Sequence, residues 1–201
     1  MTTQKLMEMT LRKLDRPTDN STVALYKERL LGYLNEAILD LTAEFRPWRR
    51  DTVTVTGGQA ELSTLPCACL KVLAACVDKE RRLFYYGSTR GTLLFPGMGD
   101  GTVEITYRYQ PPLLTELSDE PQLPEGMQGL LVEYAAARER SRFDAASQNA
   151  ARLDLTLYRE LKGKLKRRIV IRVRPRHPPE GGRRQACPPA EEAPPAAFYN
   201  G

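Results

Sequence analysis

Few side chains in this sequence are of the types that carry out acid–base or nucleophilic chemistry. The single histidine, His177, lies between Arg176 and Pro178, where a solvated linker residue is expected rather than a general base. The glycine-rich stretch 97–101 is not followed by the Lys-Ser/Thr pair of a phosphate-binding loop, and a turn between two strands explains it. The sequence also lacks a nucleophile elbow. It therefore predicts a protein that is not an enzyme and that binds no cofactor.

The cysteines are the candidates for a metal site, and their spacing is unsuitable. A structural zinc site requires four ligands, which are commonly supplied by two C-x-x-C pairs. Here Cys67 and Cys69 are two residues apart, which places them on one face of a strand, and Cys187 lies far away in a proline-rich tail. We therefore expect half-buried strand cysteines and no bound metal.

Positive charge is concentrated in one segment of the chain. Residues 1–161 contain 20 Lys and Arg against 22 Asp and Glu, whereas residues 162–184 contain ten Lys and Arg against the single acid Glu180. An anionic partner would meet the chain in this segment. Three interpretations stay open: an arm that docks on an acidic protein, solvated charge at a helix end, or a nucleic-acid-binding segment at residues 162–176. The third lacks interleaved aromatic residues that stack on bases.

Apolar residues recur every three or four positions in four stretches of the chain, which predicts about four helices. The second helix begins at a capping Ser21 or Thr22 and ends before Pro47, and the third follows Pro124. The fourth would pack antiparallel on the third. Its apolar residues are Ala146, Ala150, Leu153, Leu157, Leu161 and Leu165.

Between the second and third helices the apolar period changes to two, which predicts about six strands. Gly57-Gly58 would form the two-residue turn of the first hairpin. Strands joined in hairpin order favour an antiparallel sheet or a small sandwich. The expected pairs are residues 52–56 with 59–62, residues 70–77 with 82–86, and residues 92–95 with 102–109.

The predicted organisation is therefore α+β, with three regions. A helical core comprises residues 1–50 and 112–168, and an antiparallel β-hairpin region is inserted at residues 51–111. An extended C-terminal arm comprises residues 169–201. Its first part, 169–174, alternates like a strand, and a proline-rich tail follows. No run of eighteen apolar residues exists, so no membrane-spanning helix is expected.

Three stretches of the helical core carry a family resemblance. These are Tyr33–Ala37 in the second helix, the stretch from Tyr109 to Pro124, and Leu130–Ala137 in the third helix. Together with the order of the parts, they resemble the head–tail adaptor (head-completion, or neck connector) proteins of tailed bacteriophages. The motifs are packing and turn patterns, and the resemblance covers about residues 1–168.

The resemblance implies a structural role in the virion neck for a protein made in the host cytoplasm. Adaptors of this kind form a ring, usually of twelve subunits, beneath the portal protein. The ring extends the DNA channel, through which genomic DNA passes without sequence-specific binding, and offers a platform for a neck or tail completion protein.

The resemblance also implies that the C-terminal arm reaches the portal or a neighbouring subunit. An alternating segment can add a strand to a partner sheet, and its arginines can pair with acidic surface there. Aromatic residues at the end of the tail can serve as anchors. The predicted docking residues are Arg167, Arg168, Ile169, Ile171, Arg172, Val173, Arg174, Phe198 and Tyr199.

Overall fold

The computed structural model describes residues 1–143 and 145–171, and it confirms the α+β class. The helices of this part are α1 (Thr3–Lys13), α2 (Asn20–Phe45), α3 (Glu125–Arg140) and α4 (Ala145–Ile171). Its strands are β1 (Trp48–Val55), β2 (Gln59–Glu61), β3 (Ala68–Val77), β4 (Glu80–Arg81), β5 (Tyr85–Tyr86), β6 (Thr92–Leu94) and β7 (Gly101–Gln110). A short 3-10 helix, Leu62–Thr64, follows β2.

The described residues form two compact units. The helical unit comprises Met1–Phe45 and Pro111–Ile171, and the β unit comprises Arg46–Gln110. Leu6, Leu34 and Leu131, each without exposed surface, lie in the core of the helical unit. Each comes from a different helix, so α1, α2 and α3 close around one apolar interior.

The residue that caps the N-terminus of helix α2 is Asp19, two or three residues before the predicted cap. The Asp19 carboxylate accepts a hydrogen bond of 3.0 Å from the Thr22 backbone N–H, which is the role of an N-cap. The prediction that Ser21 or Thr22 caps the helix was wrong. Both residues lie inside the first turn, and their hydroxyls donate to the same Asp19 carboxylate.

Helices α3 and α4 form the predicted antiparallel pair. Near one end Arg140 Nη1 lies 2.6 Å from Asp154 Oδ2, and further along the Tyr134 and Tyr158 rings meet edge to face at 5.3 Å. As residue numbers fall along α3, those of the partners rise along α4, which is the pattern of two antiparallel helices. The αα-hairpin prediction is therefore confirmed.

The β unit contains two small antiparallel sheets. One has the strand order β1-β7-β3-β4, and the other has the order β2-β6-β5. Their buried side chains form one cluster, to which Val53 and Ile105 contribute from the first sheet and Leu93 from the second. The antiparallel arrangement agrees with the prediction.

Two of the three predicted strand pairs were wrong. The third, residues 70–77 with 82–86, is right only in part: β3 pairs with β4, whereas β5 pairs with β6 in the other sheet. Gly57 and Gly58 do form a turn with positive φ angles of 56° and 76°, and Thr56 and Gln59 bond across it. Beyond that bridge β1 pairs with β7 rather than with β2, and β2 pairs with β6. Strand β6 does not pair with β7. Hairpin order was inferred from neighbours in sequence, whereas burial of both sheets' apolar faces requires the non-local partners.

Candidate docking segment at the end of helix α4

The C-terminal half of α4 is held to α2 by a cluster that we call the lysine clamp: Asp40, Glu44, Tyr158, Lys162 and Lys166. Lys162 Nζ lies 2.9 Å from Asp40 Oδ2 and 3.0 Å from Glu44 Oε2. Lys166 Nζ lies 3.0 Å from Glu44 Oε1, and the Tyr158 hydroxyl donates to Asp40. Two of the lysines of the basic segment are therefore neutralised within the chain.

Contacts within the clamp shift the pKa values of its residues in the directions expected for hydrogen-bonded and charge-paired groups. Burial alone would raise the pKa of Asp40, but hydrogen bonds from Tyr158 and Lys162 outweigh it and lower that pKa. Hydrogen bonds from Lys162 and Lys166 lower the pKa of Glu44. Burial and the bond to Asp40 raise the pKa of Tyr158. Burial would lower the pKa of Lys162, but its bonds to the two carboxylates raise it. The clamp is thus a network of fixed charges at neutral pH.

Beyond the clamp, α4 continues through Ile171, so the prediction of a strand beginning at Ile169 was wrong. Adding a residue to an existing helix creates a backbone hydrogen bond at little cost, because nucleation has already occurred. The long run of Leu, Lys and Arg before residue 169 favours helix strongly, and three β-branched residues do not overcome it. The alternation of apolar and basic residues is too short here to specify a strand.

The structure describes part of the predicted docking set. Arg167 is exposed on α4, and the backbone of Arg168, Ile169 and Ile171 is helical. Lys164, one turn before Arg168, is also exposed. The remaining predicted docking residues, Arg172, Val173, Arg174, Phe198 and Tyr199, lie outside the described residues.

Sequence reasoning missed the acidic half of the clamp. The sequence placed Asp40 between the apolar positions of α2 and gave no role to Glu44, and Tyr158 was not assigned to the apolar face of α4. A signal was present: Asp40 and Glu44 are four residues apart, as are Tyr158, Lys162 and Lys166. Such i, i+4 rows lie along one side of a helix and can face each other across two helices.

The apolar face of α4 also differs from the predicted one. Of the α4 side chains at positions 147–167, those of Ala151 and Tyr158 are buried, and Leu161 and Leu165 pack partly against the core. Two predicted core leucines face outwards: Leu153 is 73% exposed and Leu157 is 40% exposed. In an Ala- and Leu-rich helix the sequence offers two possible apolar stripes, and the stripe that contains Ala151 and Tyr158 is the buried one.

A cavity of about 310 Å³ in the helical unit is lined by charged, aromatic and aliphatic groups. Its buried acid, Glu139, lies 3.5 Å from Arg29 Nη2 and 3.9 Å from Arg142 Nη1. These guanidinium groups balance the carboxylate charge. Arg16 and Phe143 both line the cavity, and the Arg16 guanidinium packs over the Phe143 ring at 5.7 Å in a cation–π contact.

No group of three or more His, Cys, Asp or Glu side chains in residues 1–143 and 145–171 could hold a metal ion. Cys67 is a buried free thiol and Cys69 a partly buried one. Burial raises the pKa of Cys69, which opposes its ionisation to the thiolate that a metal would bind. Within the same ranges, none of the helices has the length and apolarity needed to cross a membrane.

A family model described as SU10 adaptor protein matches residues 1–179, a span that contains both units and all of α4. No curated protein matches the chain.

Proposed function

The chain belongs to the SU10 adaptor protein family of phage head–tail adaptors, and from this premise we propose that it assembles as a ring beneath the portal protein. It is a structural phage protein. In the proposal, the ring of twelve subunits extends the DNA channel in the virion neck and presents a platform for a neck or tail completion protein. No reaction is required of it, because its work is to join two larger assemblies.

The observation that carries this proposal is the extent of the family match. It covers residues 1–179, so the helical unit and the β unit both belong to the matched region. The fold is compatible with a building block: α2 and α4 are 26 and 27 residues long and extend over about 40 Å each. Long rigid helices with several exposed faces suit a subunit that contacts more than one neighbour.

The second part of the proposal concerns the segment that begins near the end of α4. We propose that Arg167 and the basic residues after it contact acidic surface on the portal protein or on a neighbouring subunit. The support is electrostatic: Lys162 and Lys166 are neutralised by the clamp, whereas Arg167 is exposed just beyond it. Exposed positive charge is therefore available to a partner at Lys164 and Arg167, in the last turns of α4.

The proposal is tested by mixing the purified chain with its portal protein and measuring the assembly by sedimentation velocity and negative-stain imaging. We expect ring-shaped particles with a central channel bound to the portal. A chain that stays monomeric with the portal protein present would contradict the proposed ring.

The contribution of the arm is tested with the triple variant Arg167→Ala, Arg172→Ala and Arg174→Ala. The matched control removes three exposed cations from the β unit: Lys79→Ala, Arg82→Ala and Arg90→Ala. We expect portal affinity to fall at least tenfold in the first variant and less than threefold in the control, because paired charges at an interface act on specific partners. Equal losses in both would contradict the role of the arm.

A second candidate function is nucleic-acid binding by residues 162–176. The exposed Lys164 and Arg167 favour it, while the engagement of Lys162 and Lys166 by acids reduces the charge available to phosphate. Binding of this kind weakens steeply with salt because it releases counterions. The test is an anisotropy titration with duplex DNA at about 50 mM salt, where the absence of binding removes this candidate.

A further inference from the structure

Helix α2 carries an apolar stripe on the side that faces away from its core. Leu25 and Leu39 are 73% and 48% exposed, and Gly32 lies midway between them. These three positions are seven residues apart, so they lie along one side of the helix. A Cβ added at Gly32 would meet no heavy atom within 4 Å, which leaves room for a neighbouring backbone to approach.

Helix α4 carries a second outward stripe. Leu153 and Leu157 are four residues apart, and they are 73% and 40% exposed. Lys164 lies seven residues after Leu157 on the same side. The opposite side of α4, with Tyr158 and Lys162, faces α2 of the same chain. The helical unit therefore presents two separate outward stripes, on different helices.

Each stripe carries an exposed charge that could pair with one on the other stripe, and on α4 the exposed acid Glu160 lies one turn before Lys164. Glu28 lies on the outward stripe of α2, and Lys164 lies on that of α4; both are exposed. Within residues 1–143 and 145–171, neither makes an ion pair or a side-chain hydrogen bond, whereas Glu36 of α2 is engaged by Arg138 and Tyr134. Glu28 and Lys164 are therefore available to each other across a contact between two copies.

The spacing of the leucine and the charge is the same on both helices. Leu39 follows Glu28 by eleven residues, and Lys164 follows Leu153 by eleven residues, which is about three helical turns or about 16 Å. If two such helices lie antiparallel, Leu39 meets Leu153 while Glu28 meets Lys164. Both pairs therefore form in one register, without sliding either helix along its axis.

We propose that the outward stripe of α2 in one copy packs antiparallel on the outward stripe of α4 in the next copy. This inference rests on the proposed function and specifies which surfaces join the subunits of its ring. The two stripes differ, so the contact is head-to-tail: each copy offers one α2 stripe and one α4 stripe. A contact of this kind closes into a ring when the rotation between copies allows it.

The first test compares oligomeric state by sedimentation velocity for the full chain and for the single variants Leu39→Glu and Leu153→Glu. The control is Leu83→Glu, which places the same charge on a residue of the β unit that is 67% exposed. We expect the wild type and the control to form the large assembly, and each stripe variant alone to be monomeric. Circular dichroism checks that the variants retain their helices, since the replaced side chains lie outside the core.

Mixing the two stripe variants identifies the kind of contact. Leu153→Glu retains an intact α2 stripe, and Leu39→Glu retains an intact α4 stripe, so an equimolar mixture forms a one-to-one complex that cannot grow further. Dimers formed by Leu39→Glu alone would reveal an α4–α4 contact, and dimers formed by Leu153→Glu alone an α2–α2 contact. Either result overturns the inference.

Charge reversal tests the register. Glu28→Lys or Lys164→Glu alone weakens association roughly three- to tenfold, and the two changes in one chain restore it, because every interface then regains an opposite pair. Failure of the double variant to recover overturns the antiparallel match.

The outcomes separate the inference from the proposed function. If the stripe variants still assemble into rings, the inference is wrong and the ring stands. If the wild type is monomeric with and without portal protein, the ring and the inference are both wrong.

Discussion

The helical unit and the β unit bury their apolar side chains by different routes. In the helical unit, Leu30, Leu34 and Ile38 of α2 are fully buried because they recur along one side of a single helix. In the β unit, Val53 is buried on β1 only because β1 pairs with β7, which follows some fifty residues later; Val53 lies opposite Val103. The comparison teaches that the helical elements are specified locally, whereas the sheets depend on partners that are distant in sequence.

The polar contacts within each unit also differ in what they join. In the helical unit the Asn35 side chain accepts from the Leu114 N–H at 2.8 Å and donates to the Leu114 carbonyl at 2.9 Å, so it acts like a strand partner for the returning chain. In the β unit Asp51 accepts from Arg49 at 2.6 Å and from the Tyr107 hydroxyl at 2.8 Å. Burial and the hydrogen bond to Asp51 raise the pKa of Tyr107. The first contact joins distant segments, while the second stabilises neighbouring strands.

The largest effect is expected from a cavity in the helical core. Leu34→Ala removes a fully buried side chain and should lower the free energy of unfolding by about 2–5 kcal/mol. Leu25→Ala on the outward side of the same helix is the control and should change it by less than about 0.5 kcal/mol. Urea unfolding followed by circular dichroism measures both changes. Similar losses in both variants would show that burial does not distinguish the two sides of α2.

An intermediate effect, of opposite sign in the two units, is expected from adding one methyl group to a glycine. Gly58 has a φ of +76°, and a Cβ there would lie 3.1 Å from the Met98 carbonyl oxygen. Gly58→Ala should therefore destabilise the protein by about 1–2 kcal/mol. Gly129 lies in α3 with no atom within 4 Å of its added Cβ, so Gly129→Ala should stabilise by about 0.5–1 kcal/mol.

Thermal unfolding of the two glycine variants, each beside the wild type, checks the signs. A stabilised Gly58→Ala protein would mean that the turn between β1 and β2 does not require a left-handed residue.

The smallest effect concerns the pH dependence of the lysine clamp. The pKa values of Asp40 and Glu44 are lowered, so their contribution is complete above the ordinary carboxyl pKa of about 4 and is lost as the pH falls further. The pKa of Lys162 is raised, so its contribution is complete below about pH 10 and is lost as the pH rises through the folded value. The clamp therefore stabilises α4 between these limits.

Lys162→Met should lower stability at pH 7 by about 0.5–1 kcal/mol, since the pair is partly exposed. It should also reduce the loss of stability between pH 5 and about pH 3. Urea midpoints measured across this range for wild type and variant give the two slopes. Arg159→Met is the control, because Arg159 is an exposed cation of the same helix. Identical slopes in wild type and Lys162→Met would contradict the clamp.

The helices could be predicted from sequence because their pattern is local. The apolar stripe that the sequence predicts for α2 is Val23, Tyr26, Leu30, Leu34, Ile38, Leu41 and Phe45. All of these are buried except Tyr26, which is half-buried. The prediction of the buried side of α4 failed because its sequence offers two apolar stripes. Periodicity alone does not reveal whether the stripe with Leu153 or the one with Ala151 is buried. Choosing between them requires knowledge of the gap that α3 leaves, which is a tertiary property.

The strands could be located from sequence, but their partners could not. Residues 52–55 and 102–109 were both recognised as strands, yet their pairing with each other was not, because hairpin proximity was the available guide. The actual pairing of β1 with β7 spans the whole β unit. Pairing over such a distance is decided by which apolar faces can be buried together.

The candidate docking segment was predicted from charge, and charge alone did not show which cations were engaged. Lys162 and Lys166 pair with acids of α2, whereas Arg167 is exposed. The distinction depends on Asp40 and Glu44, more than a hundred residues earlier in the chain. Sequence reasoning could find the basic run but could not assign its members to different roles.

The full-length antiparallel pairing of β1 with β7 has a consequence for the architecture of the chain. Trp48 lies opposite Arg108, and the Tyr109 N–H bonds to the Pro47 carbonyl at 3.2 Å. The polypeptide thus enters and leaves the β unit through two adjacent strands, roughly 5 Å apart. Because its two ends are adjacent, such a region can be replaced as a whole. A related chain could have a larger or smaller β unit at this position without a change in the path of the four helices.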